Sequence, residues 1–600
     1  NIAAAYSIPN YFEMYRLINQ TNGGNINVQN SQGFNIQKDT IKITSIGIID
    51  YTGNQYGYLY NNNISGNVTI SSAATYINGY VTYIHNNIIT GTSTFTSKGP
   101  NNFTEADAAG TANHYIGTTN FNAAGTGSFF VSHADASLFD GNINFNRTVV
   151  GITYIFNNGG IVNGNFSYTN NTAGNTYLGT PATKTSISGT INIAANYTAP
   201  SFFEMYRLIN QTSGGSINVQ NSQGFNIQKD TIKIASMGIT AYTGNQNGYF
   251  YNNSISGNVT LSSDATYSSG YSTHMRNNLI TGTSTFTNNG NNSFNEADAA
   301  GSANHYIGAT IFNAAGSGTF IVSHLDASQF AGNISFNRTV AGITYIFNNG
   351  GIVNGNFSYT NNTAGNTYLG NPATKTSISG TVNIAANYSS PNFFEMHCLI
   401  NQTGGGVINV QNPQGFNVQK DTLIVNALSI TGYRGNTYAN FYNNNITGNV
   451  TTADDVSYSS GYETRFQSNT VIGNVSIASN GSNPMKDPDA GPQNSRYTGN
   501  VTYTKTGGGT LSIGIGDTLE IGQNLTLNSP TGILLGTIKF NGNSNGVIDQ
   551  LGTQQPIIIP TIIMKKTGSA KLTLNDSVTV TNTLTFASGN IYSSAGNNLI

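Results

Sequence analysis

One stretch of the sequence carries residue types that could bind a metal ion. Glu105 and Asp107 lie two positions apart, and His114 follows on the same stretch. Carboxylates together with an imidazole are ligands that calcium or a transition metal accepts. The stretch returns twice, with the matching residues Glu296, Asp298 and His305, and then Asp487, Asp489 and Arg496. Because arginine replaces histidine in this third version, we interpret the stretch as a solvated loop of unassigned role, and we assign no metal ligand and no cofactor.

Catalytic groups are scarce elsewhere in the chain. His133 with Asp135 resembles half of a catalytic constellation, but no nucleophile accompanies the two at a fixed distance, and we interpret them as a surface turn. Glycoside hydrolysis needs two carboxylates that face each other across the scissile bond, and the few acidic residues form no convincing pair. Glycine doublets such as Gly214-Gly215 lack the Lys-Ser/Thr of a phosphate-binding loop. We therefore assign no catalytic residue and predict that the chain is not an enzyme.

The overall composition excludes several classes of function. Charged residues make up 8% of the 600 residues, against about 25% in ordinary soluble proteins. The net charge of −2 leaves no basic surface for nucleic acid, and the lack of any run of about 18 apolar residues predicts no membrane insertion. A hydrophobic content of 37% is too high for a disordered chain. Cys398 is the only cysteine, so no internal disulfide can form, and we expect it to be a small buried side chain.

A long internal repeat organises the chain. The phrase Phe12-Glu13-Met14 returns at Phe203-Glu204-Met205 and at Phe394-Glu395-Met396, each time 191 residues later. Near-identical tandem copies are typical of an element that sets length. We divide the chain into a first copy at residues 1–191, a second copy at 192–382, a diverged third copy at 383–505 and a further diverged continuation at 506–600.

A shorter repeat inside each copy predicts the fold. Glycines at positions 66, 91, 117, 141, 164 and 189 each precede an alternating apolar and polar segment, with spacings of 25, 26, 24, 23 and 25 residues. Such alternation buries one side of a strand, and stacked coils bury one another's faces. We therefore predict an all-β protein, a parallel β-helix or β-solenoid with coils of about 24 residues. Phrases such as Tyr58-Leu59-Tyr60-Asn61-Asn62 would then stack aromatic rings and amides in register. The alternative is a series of tandem β-sandwich domains of about 100 residues each.

The C-terminal hundred residues resemble a known family. The phrase from Thr573 to Phe586, followed by Ser588-Gly589-Asn590-Ile591-Tyr592, is similar to the haemagglutinin-like repeats of very large cell-surface adhesins of Bacteroidota, which include gliding-motility adhesins. This resemblance implies export by the type IX secretion system, display on the outer surface, and attachment to surfaces or glycans. The sequence starts at Asn1 without Met or a signal peptide and ends at Ile600 within a strand-like pattern, so we expect the chain to be a segment of a longer mature protein.

The same resemblance implies O-glycosylation at Asp-Ser/Thr followed by an apolar residue. The first three matching threonines occupy the same phase of the long repeat. The alternative is that Asp-Thr forms a corner turn between strands. The matching positions are Thr40, Thr231, Thr422, Thr518 and Ser577.

These features together favour a structural and adhesive function. We expect a rigid segment of a cell-surface adhesin or filament, located outside the cell, that acts in surface attachment or gliding. Its expected partners are surface glycans or abiotic surfaces and neighbouring segments of the same long chain, without nucleic acid. The alternatives are a β-helical polysaccharide-degrading enzyme and a phage or extracellular fibre, which would be trimeric.

Overall fold

The computed structural model contains two compact units, each of which is a parallel β-solenoid. One unit comprises Asn1–Phe294 with Asn304–Gly308, and the other comprises Asn295–Ala303 with Ala309–Ile600. None of the described residues forms a helix. Accordingly, this part of the chain contains no helix that could span a membrane. The structure describes residues 1–8, 10–52, 55–76, 79–244, 246–390, 392–435, 437–459, 461–489, 494–528, 532–552 and 556–600.

A typical coil of the solenoid contributes three strands, one to each of three facets. In one coil these are Ile88–Ile89 on the first facet, Ser93–Ser97 on the second and Phe103–Glu105 on the third. The next coil repeats the order with His114–Tyr115 and Thr119–Ala123 before its third strand. In several coils a single long strand covers the first and second facets, as Thr40–Tyr51 does.

The strands divide among the facets as follows. The first facet contains Ile18–Asn19, Ile88–Ile89, His114–Tyr115, Leu138–Phe139, Gly160–Val162, Thr185–Ile187, Leu208–Asn210, Leu279–Ile280, His305–Tyr306, Gln329–Phe330, Gly351–Val353, Thr376–Ile378, Leu399–Asn401, Thr470–Ile472, Ser495–Tyr497, Leu519–Ile521 and Thr537–Gly542. The long strands that cover the first and second facets are Thr40–Tyr51, Asn63–Ser72, Thr231–Tyr242, Ser254–Ser263, Thr422–Tyr433 and Asn445–Asp454. The second facet contains Ile2–Ala5, Asn25–Gln29, Ser93–Ser97, Thr119–Ala123, Ile143–Arg147, Phe166–Asn170, Ile191–Asn196, Gly215–Gln220, Ser284–Asn288, Thr310–Ala314, Ile334–Arg338, Phe357–Asn361, Val382–Asn387, Val407–Gln411, Val475–Ser479, Val501–Lys505, Leu525–Asn528, Gly546–Leu551, Lys571–Leu574 and Asn590–Ser593. The third facet contains Tyr11–Tyr15, Gly33–Gln37, Gly57–Tyr60, Thr82–His85, Phe103–Glu105, Phe129–Val131, Thr153–Ile155, Thr176–Leu178, Phe202–Tyr206, Gly224–Gln228, Gly248–Tyr251, Ser272–Arg276, Ser293–Glu296, Phe320–Val322, Thr344–Ile346, Thr367–Gly370, Phe393–His397, Gly415–Gln419, Ala439–Tyr442, Thr464–Gln467, Met485–Asp487, Leu511–Ile513 and Ile533–Leu535. Two last strands run from the third facet into the first, Ile557–Lys566 and Val578–Ser588.

The register between strands confirms the predicted solenoid. Ser93 pairs with Thr119, Thr119 with Ile143, and Ile143 with Phe166, all in parallel, so these coils are 26, 24 and 23 residues long. Tandem sandwich domains would instead pair strands antiparallel within separate sheets. That alternative is therefore wrong.

Alternating strands place apolar side chains inside each coil. On the second facet Phe95, Phe121 and Phe145 are fully or almost fully buried, and successive ring centroids lie 5.7 and 6.0 Å apart. Burial of each ring contributes about 1.5–3 kcal/mol, and aromatic pairing adds about 0.5–1.5 kcal/mol. Because each ring contacts rings in neighbouring coils, the core is continuous along a unit.

The evenly spaced glycines lie where coils approach most closely. A Cβ atom on Gly91 would lie 2.3 Å from the carbonyl oxygen of Gly66, and one on Gly117 would lie 2.3 Å from that of Gly91. Gly141 repeats the contact on Gly117 at 2.4 Å. The column leaves no room for a side chain, which explains why the short repeat is marked by glycine.

Candidate functional site

A ladder of buried asparagines runs along the interior corner between the third and first facets. Asn62 donates from its backbone N–H and from Nδ2 to Oδ1 of Asn87, at 3.0 and 2.9 Å. Asn87 bonds to Oδ1 of Asn113 in the same way, at 2.8 and 2.9 Å. Each Nδ2 also donates to a backbone carbonyl, which for Asn87 is that of Leu59 at 2.7 Å. The amides therefore satisfy one another, as the sequence predicted for stacked asparagines.

Glu105 lies at the end of this amide ladder and is fully buried. Its carboxylate accepts hydrogen bonds from Asn113 Nδ2 at 2.5 Å, Ser137 Oγ at 2.5 Å and the backbone N–H of Ser132 at 2.6 Å. Burial raises the pKa of Glu105 to about 7, although these donors oppose the shift. The interpretation of Glu105 as part of a solvated loop is wrong, because it continues the inward side of the strand Phe103–Glu105.

The other two residues of the first candidate group point elsewhere. Asp107 contacts Nε2 of His85 at the edge of the third facet. His114 lies on the first facet, where its Nε2 is 2.6 Å from Oδ2 of Asp140. The hydrogen bond from His114 lowers the pKa of Asp140. Glu105, Asp107 and His114 thus belong to three separate sets of contacts and do not converge on one site.

The second version of the stretch follows the same pattern for its glutamate. Glu296 is fully buried and accepts from the backbone N–H of Ser323 at 2.7 Å and from Ser328 Oγ at 2.5 Å. Asp298 is half-buried in the turn that follows. His305 lies on the first facet in register with Leu279.

The third version keeps a buried carboxylate by a paired change of residues. Asp487 replaces the glutamate, is fully buried, and accepts from Tyr497 Oη at 2.9 Å and Tyr503 Oη at 2.6 Å. Tyr503 stands where the first copy has Phe121, so a new hydroxyl reaches the shorter carboxylate. Burial raises the pKa of Asp487 to about 6.

The aspartates of the Asp-Thr phrases have a structural role of their own. Asp39 accepts the backbone N–H of Leu17 at 2.5 Å, and its own N–H donates to Oδ1 of Asn62, at the start of the amide ladder. Asp230 and Asp421 make the corresponding bonds to Leu208 and Leu399, and burial raises the pKa of both. Two of the five candidate glycan acceptors, Thr40 and Thr231, are exposed. The other three are half-buried, namely Thr422, Thr518 and Ser577.

Aromatic rings form rows on the outer side of the third facet. Tyr58 stacks on Tyr83 at 5.7 Å, and Tyr154 stacks on Phe130 and Tyr177 at 4.8 and 4.7 Å. The planes of each pair are within 10° of parallel. The predicted register of aromatic rings is confirmed, and the flat faces of these rings contact one another.

Arg147 is a buried charge that the sequence analysis did not identify. Its guanidinium donates to the carbonyls of Gly125, Gly127, Val149 and Ile152 and to Thr153 Oγ1, over 2.6–3.3 Å. Burial lowers its pKa to about 10. The sequence did contain a signal for its burial, since Arg147 occupies the same alternating, inward-facing positions of its strand as Ile143 and Phe145.

Chemically, these groups hold the coils together rather than gather at one reaction centre. Among the described residues no group of three or more His, Cys, Asp or Glu side chains has the geometry to hold a metal ion. Cys398, as expected, is buried. No protein-family model matches the chain, and neither a curated protein nor a solved structure matches it significantly. The surfaces that remain as candidate sites are the outer sides of the three facets.

Proposed function

We propose that this chain is a structural and adhesive segment of a very large secreted cell-surface adhesin or filament, and that it acts as a rigid spacer in surface attachment or gliding. The observation that carries this proposal is the junction between repeat copies. The strand Ile191–Asn196 contains the boundary between the first two copies, and it pairs in parallel with Phe166–Asn170 before it and Gly215–Gln220 after it. The next boundary, at Val382–Asn387, is paired in the same manner. Added copies therefore extend a solenoid instead of adding separate domains.

The contacts of each coil suit a load-bearing role. Three ladders of parallel backbone hydrogen bonds join one coil to the next, and buried amides and aromatic rings add side-chain contacts in the same direction. Such a solenoid is stabilised mainly by nearest-neighbour interfaces, so its length can change without loss of stability per coil. The proposed setting is the extracellular surface, with surface glycans or abiotic surfaces and neighbouring segments of the same chain as partners.

A deletion of one whole copy tests the spacer proposal. Removal of residues 192–382 joins Ile191 to Asn383, the same residue type that follows Ile191 in the intact chain. We expect this variant to fold and to lose eight coils, about 38 Å of stacked strands at about 4.8 Å each. Removal of residues 192–370 is the matched control, because that deletion ends inside a coil and breaks the register. Electron microscopy of both variants measures the change in length.

Attachment and activity assays separate the alternatives. Beads coated with the intact chain should resist shear on glass or on polysaccharide films, without release of sugar. Release of reducing ends or unsaturated sugars would contradict the proposal and favour a polysaccharide-degrading enzyme. A sedimentation mass of three chains would contradict it in favour of a trimeric fibre. For the candidate acceptors such as Thr40, an intact mass equal to the bare polypeptide in the native host would refute O-glycosylation.

A further inference from the structure

The outer side of the second facet has an unusual chemical composition. Its outward positions pair in register from coil to coil, and over six successive coils of the Asn1–Phe294 unit one column carries only hydroxyls and amides. The neighbouring column, two residues further along each strand, carries only Ser, Thr, Asn and Ala over the same coils. None of these positions is charged or aromatic. The first column consists of Thr69, Thr94, Asn120, Asn144, Ser167 and Asn192.

Hydrogen bonds between coils hold several of these side chains in place. Asn144 Nδ2 donates to Oδ1 of Asn120 at 2.9 Å, and Asn120 Nδ2 donates to Oγ1 of Thr94 at 3.4 Å. Parallel strands set a spacing of about 4.8 Å between coils and about 6.6 Å between alternate residues of a strand. The facet is therefore a fixed two-dimensional grid of neutral donors, acceptors and methyl groups. Little side-chain entropy remains to be lost when a partner binds.

The composition of this grid excludes most classes of partner. Without cationic side chains it has no attraction for nucleic acid or anionic surfaces. It offers no aromatic ring on which a sugar could stack, and it lacks the aromatic and arginine anchors that dominate protein interfaces. The other facets differ, since the first exposes Ile88 and Lys42, and the third carries Glu13 and the row of Tyr58 and Tyr83. A partner that fits the second facet is itself a regular lattice of neutral donors and acceptors.

We propose that the second facet of this unit binds ice. A hydroxyl or amide both donates to and accepts from water, with O–H···O distances of about 2.7–2.8 Å. Waters over a fixed neutral grid can take lattice positions, whereas waters around a charged side chain are oriented by that charge. Each bridging water costs little on its own, and the grid places many of them at once. Adsorption to ice would give the adhesive segment an abiotic surface to hold.

Slow freezing of the intact chain provides the test. A fluorescently labelled chain should be enriched in the ice fraction and should inhibit ice recrystallisation. The variant Thr94→Lys/Asn144→Lys places two charges on the grid and should lower enrichment about tenfold, equivalent to about 1.4 kcal/mol. The matched control is Asn86→Lys. Asn86 lies outside the grid, at an exposed corner with φ 48°, and the equivalent corner of another coil already has a lysine, Lys38, with φ 60°. This control should leave enrichment unchanged.

Other outcomes would overturn the proposal. If the wild-type chain stays in the liquid fraction, the second facet does not bind ice, whatever the variants do. If enrichment is equal in the wild type and in a folded double-lysine variant, another surface is responsible. If the double variant fails to fold, the single variant Asn144→Lys, at an exposed position, replaces it and should still lower ice enrichment. Two results in the absence of ice enrichment would assign the facet to another partner. Self-association in sedimentation that depends on Asn144 would assign it to a second copy of the chain, and binding to crystalline cellulose that depends on Asn144 would assign it to a glycan.

Discussion

Substitution of one buried asparagine by aspartate tests the amide ladder with almost no change of shape. In Asn87→Asp, the oxygen that accepts from Asn62 is retained, but Nδ2 is replaced by an oxygen. That oxygen faces the carbonyl of Leu59 at 2.7 Å and Oδ1 of Asn113 at 2.9 Å. An ionised carboxylate would place oxygens against two acceptors, so the group will keep its proton in the folded chain.

The cost of this substitution depends on pH in a defined direction. At low pH the protonated carboxyl group of the variant donates to one acceptor and leaves the other unpaired, at a cost of about 1–3 kcal/mol. Above about pH 3.9 the unfolded chain releases the proton that the folded chain retains. Stability then falls by about 1.36 kcal/mol per pH unit, which adds up to about 4 kcal/mol at about pH 7. The total expected loss near neutral pH is about 5–7 kcal/mol on the same basis.

Hydrogen exchange of the adjacent coils measures this loss locally, which suits a solenoid whose coils can open separately. Peptides that cover Gly57–Tyr60 and Asn62 should lose protection in Asn87→Asp, and more so at about pH 7 than at about pH 4 after comparison with the wild type at the same pH. Asn86→Asp is the matched control, because Asn86 is exposed and its side chain donates to Asn61 at 2.8 Å. Equal protection in the two variants, or an effect of Asn87→Asp that does not vary with pH, would refute the reasoning.

Three further substitutions have expected outcomes. Tyr503→Phe removes the 2.6 Å donor to the buried carboxylate of Asp487, so it should lower the free energy of unfolding by about 1.5–3 kcal/mol and raise the pKa of Asp487 further, as measured by denaturation at several pH values. The pKa of Glu105 is raised to about 7 from 4.5, so its contribution to stability is full below about pH 4.5 and is lost as pH rises through about 7. Glu105→Gln should abolish this dependence of stability on pH, as measured by hydrogen exchange of its coil. Gly91→Ala adds a Cβ 2.3 Å from a backbone carbonyl and should cost about 3 kcal/mol, whereas Gly508→Ala, with nothing within 4 Å, should leave the melting temperature unchanged.

The regular parts of the fold were predictable because they depend on short-range sterics. Gly91 and its equivalents mark a corner without room for a side chain, and alternation in segments such as Ser93–Ser97 sets which residues face inward. The inward position of Glu105 could also have been inferred, since it shares the parity of Phe103. The sequence-based interpretation gave more weight to the charge of Glu105, which favours a solvated position, than to its inward place in the alternation. The partners of Glu105, Ser132 and Ser137, could not be inferred, because they come from the next coil at a corner whose path the sequence does not define.

The three repeat copies show which constraints act on this chain. In the third copy the buried glutamate has become Asp487, and the phenylalanine of the next coil has become Tyr503, which restores a donor to the shorter side chain. Outward positions of the same coils change as well, but there the exchange involves solvent-accessible groups and no buried donor: His114 becomes Arg496, which lies in register with Glu520 on the first facet. A buried carboxylate without donors costs several kcal/mol, whereas an exposed exchange costs little. Interior contacts therefore keep every copy able to stack on its neighbours, while the outward side chains of each facet can change separately. A neutral grid on the second facet can lie beside charged side chains on the other two facets because the interior of the coil, and not the outward side chains, sets the position of all three.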